Sequence, residues 1–253
     1  MTNNILALDG LRKNFGGVVA VADLSLTIAK GAISSLIGPN GAGKTTIFNL
    51  VTGFARLTGG DMIFSGRRIN GMKPHAIAGI GISRTFQNVQ IFPTMSVLEN
   101  IMVGRHLRSR TGMVSACLVP PVLRKEEKRI REDAEKQLHF LGLAQYADAP
   151  AGSLPLGSQR MLEIARALAL EPGLLLLDEP ASGLNARETI VMGDLIGKIK
   201  AMNITVWLVE HDMDLVMDIS DHVAVINFGS LIAQGTPAEI QRNEAVIAAY
   251  LGG

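Results

Sequence analysis

Cysteine is nearly missing from this sequence of 253 residues, which contains Cys117 and no other. A single cysteine cannot form an internal disulfide, which fits a protein of a reducing compartment. Residues 1–4 lack the basic and apolar regions with which a secretory signal begins, so secretion is not expected. These two absences predict a protein that works in the cytosol.

Long apolar runs and a surplus of one charge are missing too. No segment approaches the roughly 20 apolar residues that a membrane-spanning helix requires, so we expect any membrane association to be peripheral. The formal net charge is +1, which leaves no broad basic footprint, and we expect no nucleic-acid partner. Since 47% of the residues are hydrophobic, the chain can build one large folded domain. The sequence has no internal repeat, so the chain does not contain two tandem copies of one domain, and any second copy must come from another chain.

The pattern of apolar residues predicts an α/β fold. Residues 5–28 alternate between apolar and polar side chains with a glycine turn at residues 15–17, which is typical of antiparallel strands. Short apolar runs separated by helical stretches predict a largely parallel sheet that is covered on both faces. These runs occupy residues 32–37, 174–177, 205–209 and 223–226.

Strand signals disappear between residues 99 and 170, where apolar residues recur at helical spacing. The helical stripe consists of Ile130, Ala134, Leu138 and Leu141. We therefore predict one domain spanning residues 1–253. Its core would comprise residues 1–86 and 172–253, with a helical subdomain inserted at residues 87–171.

A glycine-rich loop follows the first buried strand and leads into a helix predicted at residues 45–52. Its glycines let backbone N–H groups wrap around phosphate, Lys44 adds positive charge, and Thr45 can bind magnesium. The candidate phosphate-binding residues are Gly38, Pro39, Asn40, Gly41, Ala42, Gly43, Lys44, Thr45 and Thr46. The succession of strand, loop and helix makes this a specific signal for a nucleotide site.

Two carboxylates, Asp178 and Glu179, end the apolar run at residues 174–177, where parallel sheets place their ligands. Asp178 can hold Mg²⁺, either directly or through water. Glu179 can orient and polarise a water molecule for in-line attack on the γ-phosphate of a nucleotide. An acidic pair alone is a weak signal, but together with the phosphate loop it predicts nucleotide hydrolysis.

Further motifs follow in the order found in the ATP-binding-cassette (ABC) family. They are Gln87 in the segment Arg-Thr-Phe-Gln, Pro180 after the acidic pair, and His211 in the segment Val-Glu-His-Asp. The chain resembles the ATPase subunits of ABC transporters over essentially its whole length. The resemblance implies a P-loop NTPase core of the RecA type with an antiparallel β edge near the amino terminus, and ATP and Mg²⁺ as cofactors.

Within that resemblance, several residues take defined roles. The implied catalytic residues are Glu179, His211, Gln87 and Lys44, and the implied metal ligands are Thr45, Gln87 and Asp178. His211 is similar to the switch histidine that contacts the γ-phosphate and the catalytic glutamate. Phe15 stands where the family places an aromatic ring that stacks on adenine.

The family signature Leu-Ser-Gly-Gly-Gln, which docks onto the γ-phosphate held by the opposite subunit, is altered here. It registers on Leu154, Pro155, Leu156, Gly157 and Ser158, of which Leu154 and Gly157 match. Pro155 removes the serine hydroxyl, whereas the helix dipole and the Gly157 N–H remain. Either the composite site that uses this signature is weakened, or backbone contacts suffice and both sites turn over.

The chain most resembles the larger ATPase subunits of branched-chain amino-acid importers. The features behind this resemblance are residues 84–87, an insertion at 105–124, a dimer-facing loop at 181–185, and residues 249–252. The implied partners are a second ATPase subunit, either a distinct chain or an identical one, transmembrane permease subunits and, indirectly, a solute-binding protein. The implied location is the cytoplasmic face of the inner membrane.

Two other functions share parts of this pattern. An ABC exporter of lipid or lipopolysaccharide uses the same motor chemistry, and a non-transport cassette ATPase usually adds a long coiled coil or a second cassette. A GTPase would need an Asn-Lys-x-Asp motif, which the sequence lacks.

The insertion carries Arg105, Arg108 and Arg110, which could contact lipid headgroups or a membrane subunit, or simply be solvated. By resemblance, the loop at residues 88–98 receives the coupling helix of the permease.

Overall fold

The computed structural model describes residues 4–106 and 121–251. They form two compact units, one from the segments up to Arg84 and from Gly173 onward, the other from Thr85–Pro172. Cys117 lies outside the described residues. The assignment of both units to a single cassette domain stays a prediction.

The strands and helices follow one another in mixed order. The strands are β1 Asn4–Phe15, β2 Val18–Ala29, β3 Ile33–Ile37, β4 Gly59–Phe64, β5 Arg67–Arg68, β6 Ile82–Arg84, β7 Leu174–Asp178, β8 Thr205–Val209, β9 His222–Asn227 and β10 Ser230–Gly235. The helices are α1 Lys44–Val51, α2 Pro74–Gly79, α3 Val97–His106, α4 Pro121–Phe140, α5 Leu156–Leu168, α6 Ala186–Ala201, α7 Met213–Ile219, α8 Pro237–Gln241 and α9 Glu244–Leu251.

The larger sheet of the first unit has six strands in the order β10-β9-β3-β8-β7-β6. Its neighbouring strands pair in parallel, except that β10 is antiparallel to β9. Every residue of β3, β7 and β8 is buried, because a parallel sheet is covered on both faces. The predicted α/β class and the strands predicted from apolar runs are confirmed.

The smaller sheet has four antiparallel strands in the order β2-β1-β4-β5. In the β1–β2 hairpin, Phe15 lies opposite Val18. The turn between them contains Gly16 at a φ of 55°, a left-handed conformation that glycine adopts without steric penalty. The antiparallel pair predicted for residues 5–28 is confirmed.

Aromatic packing holds the helix that follows the glycine-rich loop. Phe48 of α1 and Trp207 of β8 are fully buried, and their ring centroids lie 4.9 Å apart. Such pairs contribute about 1 kcal/mol beyond the burial of their area. Helix α1 begins at Lys44, one residue earlier than predicted, because the left-handed Gly43 places the break directly before it.

The second unit is built from helices α3, α4 and α5. The predicted helical stripe is buried inside it, which confirms the packed helix that the apolar spacing predicted. Among the described residues of this unit, strand pairing is limited to one bridge between Ser96 and Pro150. Of residues 4–106 and 121–251, none belongs to a helix long and apolar enough to cross a membrane.

Arg105, at the start of the insertion, is held by ion pairs within the helical unit. Its guanidinium lies 3.0 Å from a carboxylate oxygen of Asp133 and 2.7 Å from one of Glu171. These contacts direct the Arg105 charge toward α4 and the end of the unit. The remaining predicted basic residues of the insertion, Arg108 and Arg110, fall in the gap between the described ranges.

Candidate functional site

Three neighbouring strands bring the main predicted site residues to one edge of the larger sheet. β3, β8 and β7 lie side by side and run parallel, so their carboxyl ends meet at the same edge. The glycine-rich loop follows β3, Asp178 is the last residue of β7, and His211 comes two residues after β8. Residues far apart in sequence thus converge on a single location.

The glycine-rich loop requires glycine at two positions for space. A Cβ atom at Gly38 would collide with the carbonyl oxygen of Ile226, and one at Gly43 would lie 2.6 Å from the carbonyl oxygen of Ala20. Gly43 also has a φ of 104°, which side-chain-bearing residues rarely adopt. The loop therefore approaches two strands too closely for any side chain.

The predicted phosphate-binding residues expose a mixture of backbone and hydroxyl groups. Asn40, Gly41 and Thr45 are exposed, Thr46 is half-buried, and Ala42 is buried. Lys44 and Thr45 open α1, where unpaired N–H groups and the helix dipole favour an anion. The arrangement can hold phosphate through backbone N–H groups and the first helical turn.

Lys44 lies buried inside the loop. Its ammonium group donates hydrogen bonds to the carbonyl oxygens of Gly38 at 2.6 Å and Pro39 at 3.0 Å. Burial lowers the pKa of Lys44, and the negative charges of Glu179 and Asp178 oppose that lowering. The predicted cation and the predicted acidic pair therefore act on one another electrostatically.

Asp178 is almost completely buried and pairs with Arg84, the last residue of β6. The Arg84 guanidinium donates to Asp178 Oδ2 at 2.7 Å and also to Asn49 Oδ1 and Thr52 Oγ1. Burial raises the pKa of Asp178, while the Arg84 guanidinium opposes the rise. Arg84 stands in the sequence segment that leads to Gln87, but that motif does not indicate its contact with Asp178. The available signal was an arginine at the end of a buried strand, because a buried charge requires a partner.

Glu179 and His211 face each other across the sheet edge. His211 Nδ1 lies 3.7 Å from Glu179 Oε2, so a small shift or one water joins them. The backbone of Glu179 has a φ of 49°, and its N–H donates to the carbonyl oxygen of Val209 at 2.8 Å. A non-glycine residue in the left-handed conformation costs free energy, and such strained residues are often found at functional sites. The structure brings this predicted pair together.

Glu210, between β8 and His211, was also missed from the sequence. Its side chain is 1% exposed and accepts hydrogen bonds from the backbone N–H groups of Ala181, His211 and Asp212. Burial raises its pKa, and the three hydrogen bonds oppose the rise. A charged residue directly after a fully apolar strand was the available signal, because such residues are rarely buried without partners.

Phe15 lies at the tip of the β1–β2 hairpin rather than in the core. Its side chain is 52% exposed, and the Lys13 ammonium lies 4.4 Å from the ring centroid. One face of the ring thus carries a cation–π contact. An exposed aromatic at a hairpin tip is suited to stacking on a planar ligand.

The predicted signature residues lie in the helical unit. Pro155 precedes α5, Leu156 begins it, and both are exposed, whereas Leu154 and Gly157 are buried and Ser158 is half-buried. Gln159 donates to the carbonyl oxygen of Leu154 at 2.8 Å. The segment therefore presents a helix start with an exposed proline where the family carries serine.

Gln87 belongs to the same helical unit, and the loop that carries it is held by α5. Arg160 donates to the Gln87 carbonyl oxygen at 3.3 Å, and Glu163 Oε1 accepts from the N–H groups of Phe86 and Gln90. The Gln87 side chain is exposed. Burial raises the pKa of Glu163 against the effect of these hydrogen bonds.

Comparison with known proteins yields consistent matches along the chain. The family model "ABC transporter" matches residues 21–182, and the model "Branched-chain amino acid ATP-binding cassette transporter" matches residues 230–253. Among curated proteins, the high-affinity branched-chain amino acid transport ATP-binding protein BraF of Pseudomonas aeruginosa is 46% identical over 253 residues, covering 100% of this chain and 99% of that protein. LivG of Salmonella typhimurium, with the same description, is 45% identical at the same coverage.

Solved structures agree with these sequence matches. The crystal structure of the ADP conformation of an ATP-binding cassette of an ABC transporter superposes with a TM-score of 0.86. That protein is 32% identical, and the match covers 99% of each chain. The fold similarity and the sequence similarity thus extend over the same length.

Proposed function

The chain belongs to the ABC transporter family of ATP-binding proteins, and from this premise we propose that it is the ATP-hydrolysing subunit of an importer for branched-chain amino acids or related small solutes. The names of its relatives and the second family match support this cargo class. ATP is the substrate, and ADP and phosphate are the products. Solute specificity would lie with the membrane and solute-binding subunits.

One arrangement carries the proposal. The loop after β3, the acidic pair at the end of β7 and His211 after β8 meet at one sheet edge, with His211 Nδ1 3.7 Å from Glu179 Oε2. A phosphate loop alone would serve any nucleotide-binding protein. The additional carboxylate and histidine beside it supply what hydrolysis requires.

Substrate binding follows from the loop and the hairpin tip. The backbone N–H groups of residues 38–46 and the Lys44 ammonium would hold the β- and γ-phosphates. The exposed ring of Phe15 would stack on adenine, orienting the base without reading it closely. Lys44 can shift from the loop carbonyls to phosphate oxygens, because a phosphate is the stronger acceptor for an ammonium.

Mg²⁺ fits the donor atoms at this edge. The Thr45 hydroxyl and the Asp178 carboxylate are hard oxygen ligands, and nucleotide phosphates and water complete such sites. Within the described ranges, there is no group of three or more His, Cys, Asp or Glu side chains that could hold a metal ion. When bound, the ion neutralises charge on the β- and γ-phosphates. Gln87 stays a predicted ligand by resemblance.

Glu179 is the proposed catalytic carboxylate. It would accept a hydrogen bond from a water molecule and hold it in line with the bond between the γ-phosphate and ADP. His211 would contact Glu179 and the γ-phosphate, reporting which phosphates are present. Both side chains are positioned by backbone at strand ends, which restricts where the water can sit.

The working unit would be a dimer of cassettes at the cytoplasmic face of the membrane. Each ATP would lie between the phosphate loop of one subunit and the signature of the other, and closure around two nucleotides would switch the permease. The proposed partner is a second ATPase subunit, of which the resemblance favours a distinct chain. Transmembrane permease subunits and a solute-binding protein complete the assembly.

The test is magnesium-dependent ATP hydrolysis by the chain with and without its companion cassette and permease. We expect companion-stimulated activity that Glu179→Gln abolishes while ATP binding persists, because the amide cannot polarise water. Glu127→Gln, an exposed carboxylate of α4, is the matched control and should hydrolyse normally. Normal hydrolysis by Glu179→Gln would overturn the assignment of the catalytic carboxylate.

A further inference from the structure

One buried carboxylate joins two loops at the proposed catalytic edge. Glu210 Oε1 accepts from the N–H of Ala181 at 2.7 Å, in the loop after β7. Glu210 Oε2 accepts from the N–H of His211 at 3.0 Å and, more weakly, from Asp212 at 3.5 Å, in the loop after β8. Each oxygen therefore serves a different loop.

Burial of this carboxylate carries a cost that the fold alone does not require. A carboxylate removed from water loses its solvation unless charge-assisted hydrogen bonds replace it. Here the donors are backbone N–H groups, which are stiff and cannot follow a moving side chain. The carboxylate thus fixes the separation of the two loops beyond the last contacts between β7 and β8, which are the pair Asp178 and Val209 and the bond from Glu179 N–H to the Val209 carbonyl oxygen.

Both segments lead directly to residues of the proposed mechanism. Ala181 lies two residues after Glu179 and opens the loop 181–185, which by resemblance faces the other subunit. That loop ends in Asn185, which caps α6 together with Glu188. On the other side, Asp212 caps α7 by accepting from Leu215 N–H at 3.1 Å. Each loop is therefore held by Glu210 near its beginning and by a capped helix start at its end.

We propose that Glu210 is a positioning residue that holds the loop after β7 and the loop after β8 in register, so that His211 faces Glu179 and segment 181–185 keeps one geometry. The proposal rests on the function proposed above. Displacement of one loop would displace the other, which links the surface facing the second subunit to the histidine beside the catalytic carboxylate.

Glu210→Gln is the decisive variant, because its shape is preserved but its NH₂ group meets an N–H donor on one of the two loops. We expect kcat of the assembled transporter to fall by about 10- to 100-fold, as misplacement of catalytic groups does. The KM for MgATP should stay within about twofold, since the phosphate loop is untouched.

Glu210→Asp keeps the charge on a shorter side chain and should fall between wild type and Glu210→Gln in kcat. Thermal unfolding and ATP binding identify which variants are folded. If Glu210→Gln does not fold, the kcat and the KM for MgATP of Glu210→Asp test the proposal instead. Wild-type kcat in a folded variant, or a loss of kcat that only follows a loss of folded protein, overturns the proposal. An inactive Glu179→Gln beside a normal Glu210→Gln refutes this inference alone, whereas an assembly of wild-type subunits that does not hydrolyse MgATP refutes the proposed function itself.

Discussion

The guanidinium of Arg84 lies 2.7 Å from the carboxylate of Asp178, and both side chains are almost fully buried. Arg84 ends β6, and Asp178 ends the neighbouring β7. The same guanidinium reaches Asn49 and Thr52 at the end of α1. One arginine therefore connects the helix behind the phosphate loop with the carboxylate proposed for the metal.

Loss of this pair should destabilise the protein strongly. Arg84→Met removes the guanidinium that pairs with the buried Asp178 carboxylate, so we expect the free energy of unfolding to fall by about 3–5 kcal/mol at neutral pH. Urea unfolding of the nucleotide-free chain measures the loss. Arg187→Met, which removes an exposed arginine of α6, should stay within about 0.5 kcal/mol of wild type. If Arg84→Met also stays within about 0.5 kcal/mol of wild type, the ion pair between Arg84 and Asp178 contributes little to stability.

Asp221 should make stability depend on pH. Burial alone would raise the pKa of Asp221, but hydrogen bonds from Lys200 and the Ile33 N–H outweigh it, and the net pKa is lowered. A lowered folded-state pKa gives stability that is present above the unfolded value of about 3.9 and lost as pH falls through the folded value.

Asp221→Asn should therefore cost about 1 kcal/mol at pH 7, a figure reduced for solvent screening because the side chain is 35% exposed. The difference from wild type should shrink as the pH approaches 3. Unfolding curves at several pH values measure it, with Asp148→Asn as an exposed control. A difference that stays constant down to pH 3 would rule out the titration of Asp221 as its source.

Phe15 should contribute to nucleotide affinity and little to stability. Phe15→Ala removes a stacking surface worth about 1–3 kcal/mol, so we expect the Kd for ATP to rise by at least about fivefold. Phe15→Trp should retain affinity, because it offers a larger π face. Isothermal titration calorimetry gives the Kd, and Ile190→Ala, which alters an exposed side chain on α6, serves as control. Unchanged affinity in Phe15→Ala would place adenine elsewhere.

Pro155→Ser tests the altered signature. A serine there can cap α5, which should add about 1 kcal/mol to stability, and restores the hydroxyl that the family presents to γ-phosphate. If the composite site that uses this signature is weakened, ATPase activity of the assembled complex should rise toward about twice its value, because a second site becomes active. Unchanged activity would mean that backbone contacts suffice and both sites already turn over.

Local patterns in the sequence determined the elements and the phosphate loop. The apolar runs at β3, β7 and β8 and the helical stripe from Ile130 to Leu141 are buried as expected, because hydrophobic periodicity reports which face of an element leaves water. The glycine pattern of residues 38–45 is likewise recognisable from adjacent residues and their spacing. Why Gly38 and Gly43 have no room for a side chain became clear only from the structure, where Ile226 and Ala20 approach them.

Tertiary structure alone decided which charged side chains meet. Arg84 and Asp178 are 94 residues apart, and Glu210 and Ala181 are 29 apart. These contacts exist because β6, β7 and β8 are adjacent in the sheet, and strand order is set by packing of the whole domain rather than by any short segment. A buried charge can be recognised in a sequence as unusual, but its partner becomes definite only when the sheet closes around it.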